Sequence, residues 1–374
     1  MPKRIGFLYE RLCDRDFIRN AIINGSRKKH KRWDVKMVLS DVEGYVDRIF
    51  DIVVNGTYTP TQPKMKKIYD PSSQKVRIIA VQPFFPDGII QQMLVAAMRD
   101  VLMRGMSHWC CASIPQRGGK RALAYARRIV QHKRRKAKYA VELDVKQFYP
   151  SIPQIGVVKA LRHKIKDERF IRLLAITFSC YGAGQAYADR YNISPEEIVS
   201  DKIGMFIGFY INQWLANFYL EKLDQHITRL DGVNFNYRYM DNINVFGGNK
   251  RKLHRAITAI AYVLKELGLT LKQNWQLFPT AKRALGTVGY RIYPNKVILR
   301  KRNFLRLTRQ CRKVKNRIDN NRGISPTTAS SLLSRIGQLK HCDSQSVREK
   351  YIDPIKISRL KNIVRSAQIR LAAA

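Results

Sequence analysis

The chain has 374 residues, of which 45% are hydrophobic, so it has enough apolar side chain for a buried core and is not a disordered chain. Its 70 basic and 28 acidic residues give a formal net charge of +42, which opposes compaction unless a polyanion neutralises it. Nucleic acid is the polyanion that this charge favours. We find no apolar run of about 18 residues and no secretion signal, so we expect a cytoplasmic protein without a membrane partner.

The first 50 residues have a helical pattern, and a capping box that begins at Ser40 predicts a helix ending at Gly56. The segment 57–84 is rich in β-forming residues and predicts strands with a turn at 70–72. A helix is predicted after Pro86.

The next predicted element, over 138–152, is a strand with alternating character. Val141 and Leu143 face one side of it, whereas Glu142 and Asp144 face the other. The strand therefore has one apolar face and one face that carries carboxylates.

The span 153–203 is predicted to be mostly helical, and a further helix is expected over 208–227. A strand-like run that is interrupted by Asp241 follows. An amphipathic helix over 250–268 and a hairpin over 286–300 come next, and the basic tail has a helical pattern.

The positive charge is concentrated in two spans without any acidic residue, 101–141 and 267–318. A solvated helix face usually alternates charges of both signs, so spans of a single sign favour a surface that follows phosphates. The cations at issue in these spans are Arg117, Lys120 and Arg121 in the first and Arg302, Arg306, Arg309 and Lys313 in the second.

The six cysteines, Cys13, Cys110, Cys111, Cys180, Cys311 and Cys342, form no C-x-x-C pair and have no histidine at zinc-site spacing. We therefore expect reduced thiols in or near the core.

Asp144 and Asp241 each lie where a predicted strand ends, and an antiparallel sheet can bring two such carboxylates together. Either residue alone is better explained as a strand-end turn residue, and only the combination with other motifs favours a paired site. Paired carboxylates repel unless a cation lies between them, and Mg²⁺ prefers one or two carboxylates together with substrate phosphates. Two such ions can activate a 3′-hydroxyl and hold pyrophosphate, which suits a polymerase.

The sequences LDVKQFYPSI and YMDN around these carboxylates resemble the A and C palm motifs of reverse transcriptases. Five further blocks resemble that family in the family's order: 75–91, 113–128, 204–220, 269–275 and 288–302. The resemblance covers roughly residues 8–302 and implies an α+β fold of the right-hand polymerase type. It implies fingers over 1–138, a palm with an antiparallel sheet over 139–295, a helical insertion in the palm at about 153–203, and a helical thumb over 296–374.

The resemblance also implies roles for individual residues. Asp144 and Asp241 would hold Mg²⁺, with Mn²⁺ as an alternative. Tyr149 would exclude a 2′-hydroxyl and so select dNTPs, unless it is only a core residue. The implied nucleotide-binding residues are Lys75, Arg77, Tyr149, Ile207 and Lys272, and the implied nucleic-acid-binding residues are Arg117, Lys120, Arg121, Gln213, Arg302, Arg306 and Arg309.

The block at 204–220 carries Ile207-Gly208 and Asn212-Gln213. This resembles the pattern of diversity-generating retroelement reverse transcriptases and of unassigned bacterial groups near them, some of which act in antiphage defence. Asn212 departs from the serine of that pattern, and the residues do not separate the two groups. Residues 300–374 show no ribonuclease H or endonuclease signature, which argues against a mobile group II intron protein.

Asn242 stands where the family has a second Asp, and an amide there would weaken the metal site without dismantling it. Three explanations stay open: an introduced substitution, a native weaker site, or a catalytically silent nucleic-acid-binding pseudo-polymerase. Glu142 is a candidate to compensate. The expected activity is RNA-directed DNA synthesis from dNTPs on an RNA template. Two questions stay open: whether the template is a dedicated non-coding RNA, and whether an accessory protein or a second copy of the chain takes part.

Overall fold

A computed structural model of the chain describes residues 4–70 and 74–373. The strands are β1 Lys64–Asp70, β2 Lys75–Val81, β3 Tyr139–Asp144, β4 Phe235–Tyr239, β5 Asn242–Gly247, β6 Gln276–Pro279, β7 Leu285–Thr287, β8 Tyr290–Ile292 and β9 Val297–Leu299. The predicted turn at 70–72 lies mostly outside the described residues.

Helices make up most of the rest of the described chain. Those before β4 are α1 Leu8–Leu12, α2 Arg15–Ser26, α3 Trp33–Ser40, α4 Val42–Val54, α5 Ile89–Met103, α6 Gly119–His132, α7 Phe148–Ser151, α8 Gln154–Arg162, α9 Glu168–Ser179, α10 Gly184–Arg190, α11 Pro195–Ile198, α12 Tyr210–Tyr219 and α13 Glu221–Arg229. Those after β5 are α14 Lys250–Glu266, α15 Lys301–Asp319, α16 Pro326–Gln338, α17 Gln345–Tyr351 and α18 Ile357–Ala373, with short 3-10 turns at Leu339–His341 and Asp353–Ile355.

The central sheet has four antiparallel strands in the order β4-β5-β3-β6. Two smaller antiparallel units accompany it, the hairpin β1-β2 and the sheet β7-β8-β9. The fold is therefore the predicted α+β combination of helices with an antiparallel sheet. The division into fingers, palm and thumb at residues 138 and 295 stays a prediction.

The central sheet separates two apolar cores, because side chains on a strand alternate between its faces. Val141 and Leu143 of β3 pack into a core made largely by helices α1–α5, α8, α9 and α12–α14. Ala140 faces a second core that includes α6, β7–β9 and the helices after residue 300. Because Asp144 follows Ala140 at even spacing, its carboxylate lies on the face of the sheet that the second core covers.

The predicted helix after Pro86, the helices of 153–203 and the amphipathic helix that ends before Gly268 are confirmed. The capping box at Ser40 was wrong, because the side chain of Asp41, one residue later, accepts the cap bond from the Gly44 amide. A capping box does form at Ser194, where the same S-x-x-E pattern was present in the sequence.

The expected single helix over 208–227 is two helices, α12 and α13, with Leu220 between them. None of the described helices combines the length and apolar character needed to cross a bilayer. The six cysteines are all free, and four of them are buried.

Candidate active site

The two predicted carboxylates come together at one end of the central sheet. Asp144 is the last residue of β3 and pairs directly with Asn242, the first residue of β5. Asp241 lies in the tight turn between β4 and β5, beside Met240, which has a left-handed backbone with φ 55°. The Val145 amide donates to the Asp241 carbonyl at 3.3 Å, so the turn is fixed to the end of β3. The interruption in the strand-like run is therefore the turn of a hairpin.

The carboxylates are only partly neutralised by their surroundings. Burial raises the pKa of the Asp241 carboxyl, and the nearby Asp144 carboxylate raises it further, while the charges of Lys272 and Arg77 oppose that rise. Lys272 donates its backbone amide to the Asp144 carbonyl at 2.9 Å and its ammonium to Asp144 Oδ1 at 2.5 Å. Lys272 therefore pairs directly with Asp144, and the negative charge of Asp241 is less completely neutralised.

Asn242 is exposed, and its amide group is part of the site. Its side-chain Nδ2 donates to Asp241 Oδ1 at 3.2 Å. Residues directly opposite each other in an antiparallel pair project to the same face, so Asn242 shares the face of Asp144. The amide adds a donor and an acceptor oxygen to this corner but no negative charge.

A cavity of about 1410 Å³ opens over the carboxylates. The nucleotide-binding residues predicted from the sequence all lie on its wall, together with residues from the start of α15. The wall includes Lys75, Arg77, Asp144, Tyr149, Ile207, Asp241, Asn242, Lys272, Arg300, Arg302 and Asn303. Cations thus surround two carboxylates in a space large enough for a nucleoside triphosphate.

Tyr149 stands between the cavity and the core. Its ring packs against Phe148, and its hydroxyl lies 3.9 Å from the Met240 sulfur. Burial, and after it the charge of Asp241, raise the pKa of the Tyr149 hydroxyl well above its ordinary value. The ring therefore both lines the cavity and supports the turn that carries Asp241.

The Ile207-Gly208 pair attaches this wall of the cavity to β2. The Ala80 amide donates to the Ile207 carbonyl at 2.7 Å. Gly208 has φ 120°, and a Cβ there would lie 2.3 Å from the Ala80 carbonyl oxygen, so only glycine fits. Asn212 is buried and donates to the Phe206 carbonyl at 3.0 Å, which holds the same loop from below. Gln213 lies on α12 and does not line the cavity.

The cations at 117–121 do not line the cavity. Arg117 donates to the carbonyls of Ser107 at 2.6 Å and Cys110 at 3.0 Å, so its side chain holds the loop before α6. Arg121 contacts His108 and lies over the Trp109 ring, whereas Lys120 is exposed. Arg117 therefore has a structural role that its position in an acid-free span did not reveal.

The three arginines of α15 that were predicted to bind nucleic acid lie on one face of that helix. Arg302, Arg306 and Arg309 line a second cavity of about 490 Å³. Arg302 also lines the cavity over the carboxylates, here called the cleft, so the two cavities adjoin at this residue. The helical spacing of these arginines was readable from the sequence, and the structure brings them to one continuous basic wall.

Arg238 is a residue of this region that the sequence analysis missed. Its guanidinium is 1% exposed and pairs with Asp224 through two bonds, at 2.8 and 2.7 Å. It also donates at 3.0 Å to Asn217 Oδ1, to the Asn217 carbonyl and to the Met240 carbonyl. All five of its N–H groups thus have acceptors, and one of them fixes the residue before Asp241. A charge at a buried position of a strand was the available signal.

Glu142 shares the face of Asp144 but not its surroundings. Its Oε1 accepts the Gly286 amide at 2.9 Å, and it does not line the cavity. The expectation that Glu142 compensates for Asn242 therefore finds no support in the geometry.

The donor set at the sheet end fits a hard divalent cation. Two carboxylates of like charge lie together there, and oxygen atoms are the ligands that Mg²⁺ prefers. Within residues 4–70 and 74–373 no group of three or more His, Cys, Asp or Glu side chains could hold a metal. A cation at this site would thus depend on Asp144, Asp241, the Asn242 amide and oxygen atoms of a substrate.

Comparison with known proteins gives a family match over most of the cleft residues. The model for "Reverse transcriptase (RNA-dependent DNA polymerase)" matches residues 63–291. The chain is 24% identical to the group II intron-encoded protein LtrA of Lactococcus lactis over 229 residues, which are 60% of this chain and 34% of LtrA. An uncharacterized 91 kDa protein in a cob intron of Schizosaccharomyces pombe is 34% identical over 98 residues, 26% of this chain and 11% of that protein.

Among solved structures, telomerase of Candida albicans in complex with a fragment of telomeric RNA aligns with a TM-score of 0.43 and 11% identity, over 75% of this chain and 53% of that one. The chain spans about a third of the length of LtrA and about a tenth of the fission yeast protein.

Proposed function

This chain belongs to the reverse transcriptase family, and we propose that it synthesises DNA from dNTPs on an RNA template at the Asp144–Asp241 site. The observation that carries the proposal is the meeting of these two carboxylates at the end of the central sheet, inside a cation-lined cavity of about 1410 Å³. A polymerase site needs negative oxygen ligands for metal and positive charge for a triphosphate in one place, and this cavity supplies both.

The residues of the cleft would have three different roles: binding metal, neutralising the triphosphate and selecting the sugar. Asp144 and Asp241 would hold the divalent cation, which when bound supplies positive charge to the 3′-hydroxyl and the triphosphate. Lys75 and Arg77 on β2 face the cavity and would neutralise the triphosphate from the opposite wall. Tyr149 lines the cavity, and its bulk would exclude a 2′-hydroxyl from a bound sugar.

Lys272 has two alternative partners in this scheme. Its ammonium pairs with Asp144 in the structure. A divalent cation at the carboxylates would compete for Asp144, and the released ammonium would then face the cavity and its phosphates. This exchange keeps Asp144 neutralised before substrate binds, which lowers the electrostatic cost of holding two carboxylates together.

The test is primer extension on a primed RNA template with dNTPs, across a titration of Mg²⁺ and then of Mn²⁺. The proposal predicts incorporation that rises with the metal and stops when a chelator is added. Absence of incorporation under every metal and on every primed template, by a protein that binds those templates, would contradict it.

A second candidate function, nucleic-acid binding without synthesis, is favoured by one observation. The site holds an amide at Asn242 and an ion pair between Lys272 and Asp144, so its net negative charge is small. A silent scaffold predicts tight RNA binding with no incorporation even when Asn242→Asp restores a carboxylate. The polymerase proposal predicts incorporation by that variant.

The biological setting that we propose is a retroelement or an antiphage defence system of a bacterium. The support is the Ile207-Gly208 and Gln213 pattern, which resembles both groups. Sequencing the RNA and DNA that copurify with the protein distinguishes them: a variable protein-coding template indicates the retroelement, and a constant non-coding RNA indicates the defence system.

A further inference from the structure

The loop between α2 and α3 carries a run of basic residues that the proposed chemistry does not use. The run contains Arg27, Lys28, Lys29, His30, Lys31 and Arg32. None of these residues lines the cleft or the neighbouring basic cavity on α15.

Two of these cations hold the loop in place. Arg32 forms a bidentate pair with Asp34, at 3.0 and 2.5 Å, and the same carboxylate accepts the Phe84 amide at 2.9 Å. Lys29 lies 5.8 Å above the centre of the Phe84 ring. The loop is therefore fixed against the segment that follows β2.

The other cations of the loop have no such function. Arg27, Lys28 and Lys31 are exposed, and in the described part of the chain no carboxylate pairs with them. Three unpaired cations on a fixed loop form a site of single-sign charge, which attracts a polyanion.

A large aromatic side chain adjoins these cations. Trp33, the first residue of α3, is 74% exposed. Met37 is one helical turn further along the same face and is 41% exposed, and the exposed Lys36 lies beside it. An aromatic face next to cations fits an unpaired base and its phosphates, because every base has a π-face that can stack.

We propose that Arg27, Lys28, Lys31, Trp33 and Met37 form a binding site for single-stranded nucleic acid outside the cleft. We call this surface the amino-terminal platform. A base stacks on Trp33, Met37 extends the apolar contact, and the three cations bind the adjacent phosphates. A duplex can use the cations but not the ring, since its bases are already stacked. The proposal does not depend on DNA synthesis in the cleft.

The experiment uses the full chain with its cleft first saturated by a primed RNA–DNA duplex. Labelled oligo(rU) and oligo(dT) of about 12 nucleotides, within the range of single-strand sites, are then titrated and followed by anisotropy. The wild type is expected to bind the oligomer while it retains the duplex. Trp33→Ala should weaken oligomer binding about 5- to 150-fold, because base stacking contributes about 1–3 kcal/mol. Trp33→Phe should recover most of the affinity.

A matched control is available on α14. Tyr262 is also an exposed aromatic residue, at 65%, but it lies one turn before Glu266 and not in a cationic loop. Tyr262→Ala should leave oligomer binding unchanged. Replacing Arg27, Lys28 and Lys31 by Gln together should lower the salt slope of oligomer binding by about 2.

Three results would overturn the proposal: unchanged oligomer affinity in Trp33→Ala, equal loss of oligomer binding in Tyr262→Ala, or equal loss of duplex and oligomer binding in Trp33→Ala. Vesicles with anionic lipid provide a further arm. Binding to vesicles that Trp33→Ala abolishes, with oligomer binding intact, would assign the platform to a membrane surface and reject the nucleic-acid site. Thermal melts of each variant confirm that the comparison is between folded proteins.

Discussion

Two groups of charged side chains lie within three residues of each other along the β4–β5 hairpin, and they differ in how completely their charges are matched. Around Arg238 every N–H has an acceptor, and the Asp224 carboxylate pairs with it through both oxygens. Around Asp241 a second carboxylate, one lysine and one amide share a partly open corner. The first group is closed to solvent, and the second opens onto the cleft.

The two groups have different roles: the residues around Arg238 hold the turn in place, and the residues around Asp241 are the proposed reactive groups. A buried ion pair with all of its hydrogen bonds contributes a fixed position, since any other arrangement would leave a charge without a partner. Burial raises the pKa of the Asp241 carboxyl, and the adjacent Asp144 carboxylate raises it further, so the two carboxylates oppose folding when both are charged. Arg238 therefore holds the Met240 carbonyl so that Asp241 can stay beside Asp144.

The largest effect is expected when the buried ion pair between Arg238 and Asp224 is broken. Arg238→Met removes the guanidinium and leaves Asp224 buried without its partner, which should lower the free energy of unfolding by about 3–5 kcal/mol. Urea denaturation measures this. The double variant Arg238→Met with Asp224→Leu should recover a large part of the loss, because no charge is then left buried. A loss below about 1 kcal/mol in the single variant would show that the network does not hold the hairpin.

The next largest effect is expected when a third carboxylate is added beside Asp144 and Asp241. Asn242→Asp places a carboxylate directly opposite Asp144 and should raise DNA synthesis about 10²-fold or more, since each ~1.4 kcal/mol is tenfold in rate. RNA affinity should change little, because Asp and Asn have nearly the same shape. Initial rates of extension across a Mg²⁺ titration measure the change. Equal rates for both forms would identify Asn242 as a native variant that needs no second carboxylate.

Tyr149 lies between the two groups, because its hydroxyl is 3.9 Å from the Met240 sulfur and its side chain lines the cavity. Tyr149→Ala should reduce the preference for dNTPs over rNTPs by about tenfold or more, which corresponds to ~1.4 kcal/mol. Single-nucleotide incorporation with each class of nucleotide measures the ratio. Tyr149→Phe is the matched control and should keep the preference. Unchanged selectivity in the Ala variant would show that Tyr149 is only a core residue.

The smallest effect is expected on the basic wall of α15, which extends from the cavity over the carboxylates into the second cavity. Replacing Arg302, Arg306 and Arg309 by Gln should lower the slope of log affinity against log salt by about 2–3 for an RNA–DNA duplex, one phosphate contact for each residue. Sequence preference should not change, because phosphates carry no sequence information. A full salt slope in the triple variant would remove α15 from the duplex path.

Much of this comparison was accessible from the sequence. Alternation in β3 and the position of Asp144 and Asp241 at two predicted strand ends indicated that the two carboxylates could meet, and the predicted nucleotide-binding residues from Lys75 to Lys272 do line one cavity. These features could be predicted because the alternation of side chains along a strand is local in sequence, and because the order of the motifs is shared by the family that the sequence resembles.

The remaining features depend on contacts that no local pattern encodes. Lys272 and Asp144 are separated by 128 residues, and their ion pair forms only when β3 and the segment before β6 meet. The Arg117 side chain bends to carbonyls of its own loop, although its sequence context predicted a phosphate contact. The network of Arg238 needs three separate elements, so a single charged residue in a strand could signal burial but not its partners.

In the proposed function, the Asp144 and Asp241 carboxylates together carry DNA synthesis. The decisive measurement is Mg²⁺-dependent extension of a primed RNA template by the Asn242→Asp protein, with and without Asp144→Asn. We expect that the second substitution, which removes one charge and keeps the shape, abolishes extension while RNA affinity and the melting temperature stay the same. Extension that survives in the Asp144→Asn form would contradict the two-carboxylate site.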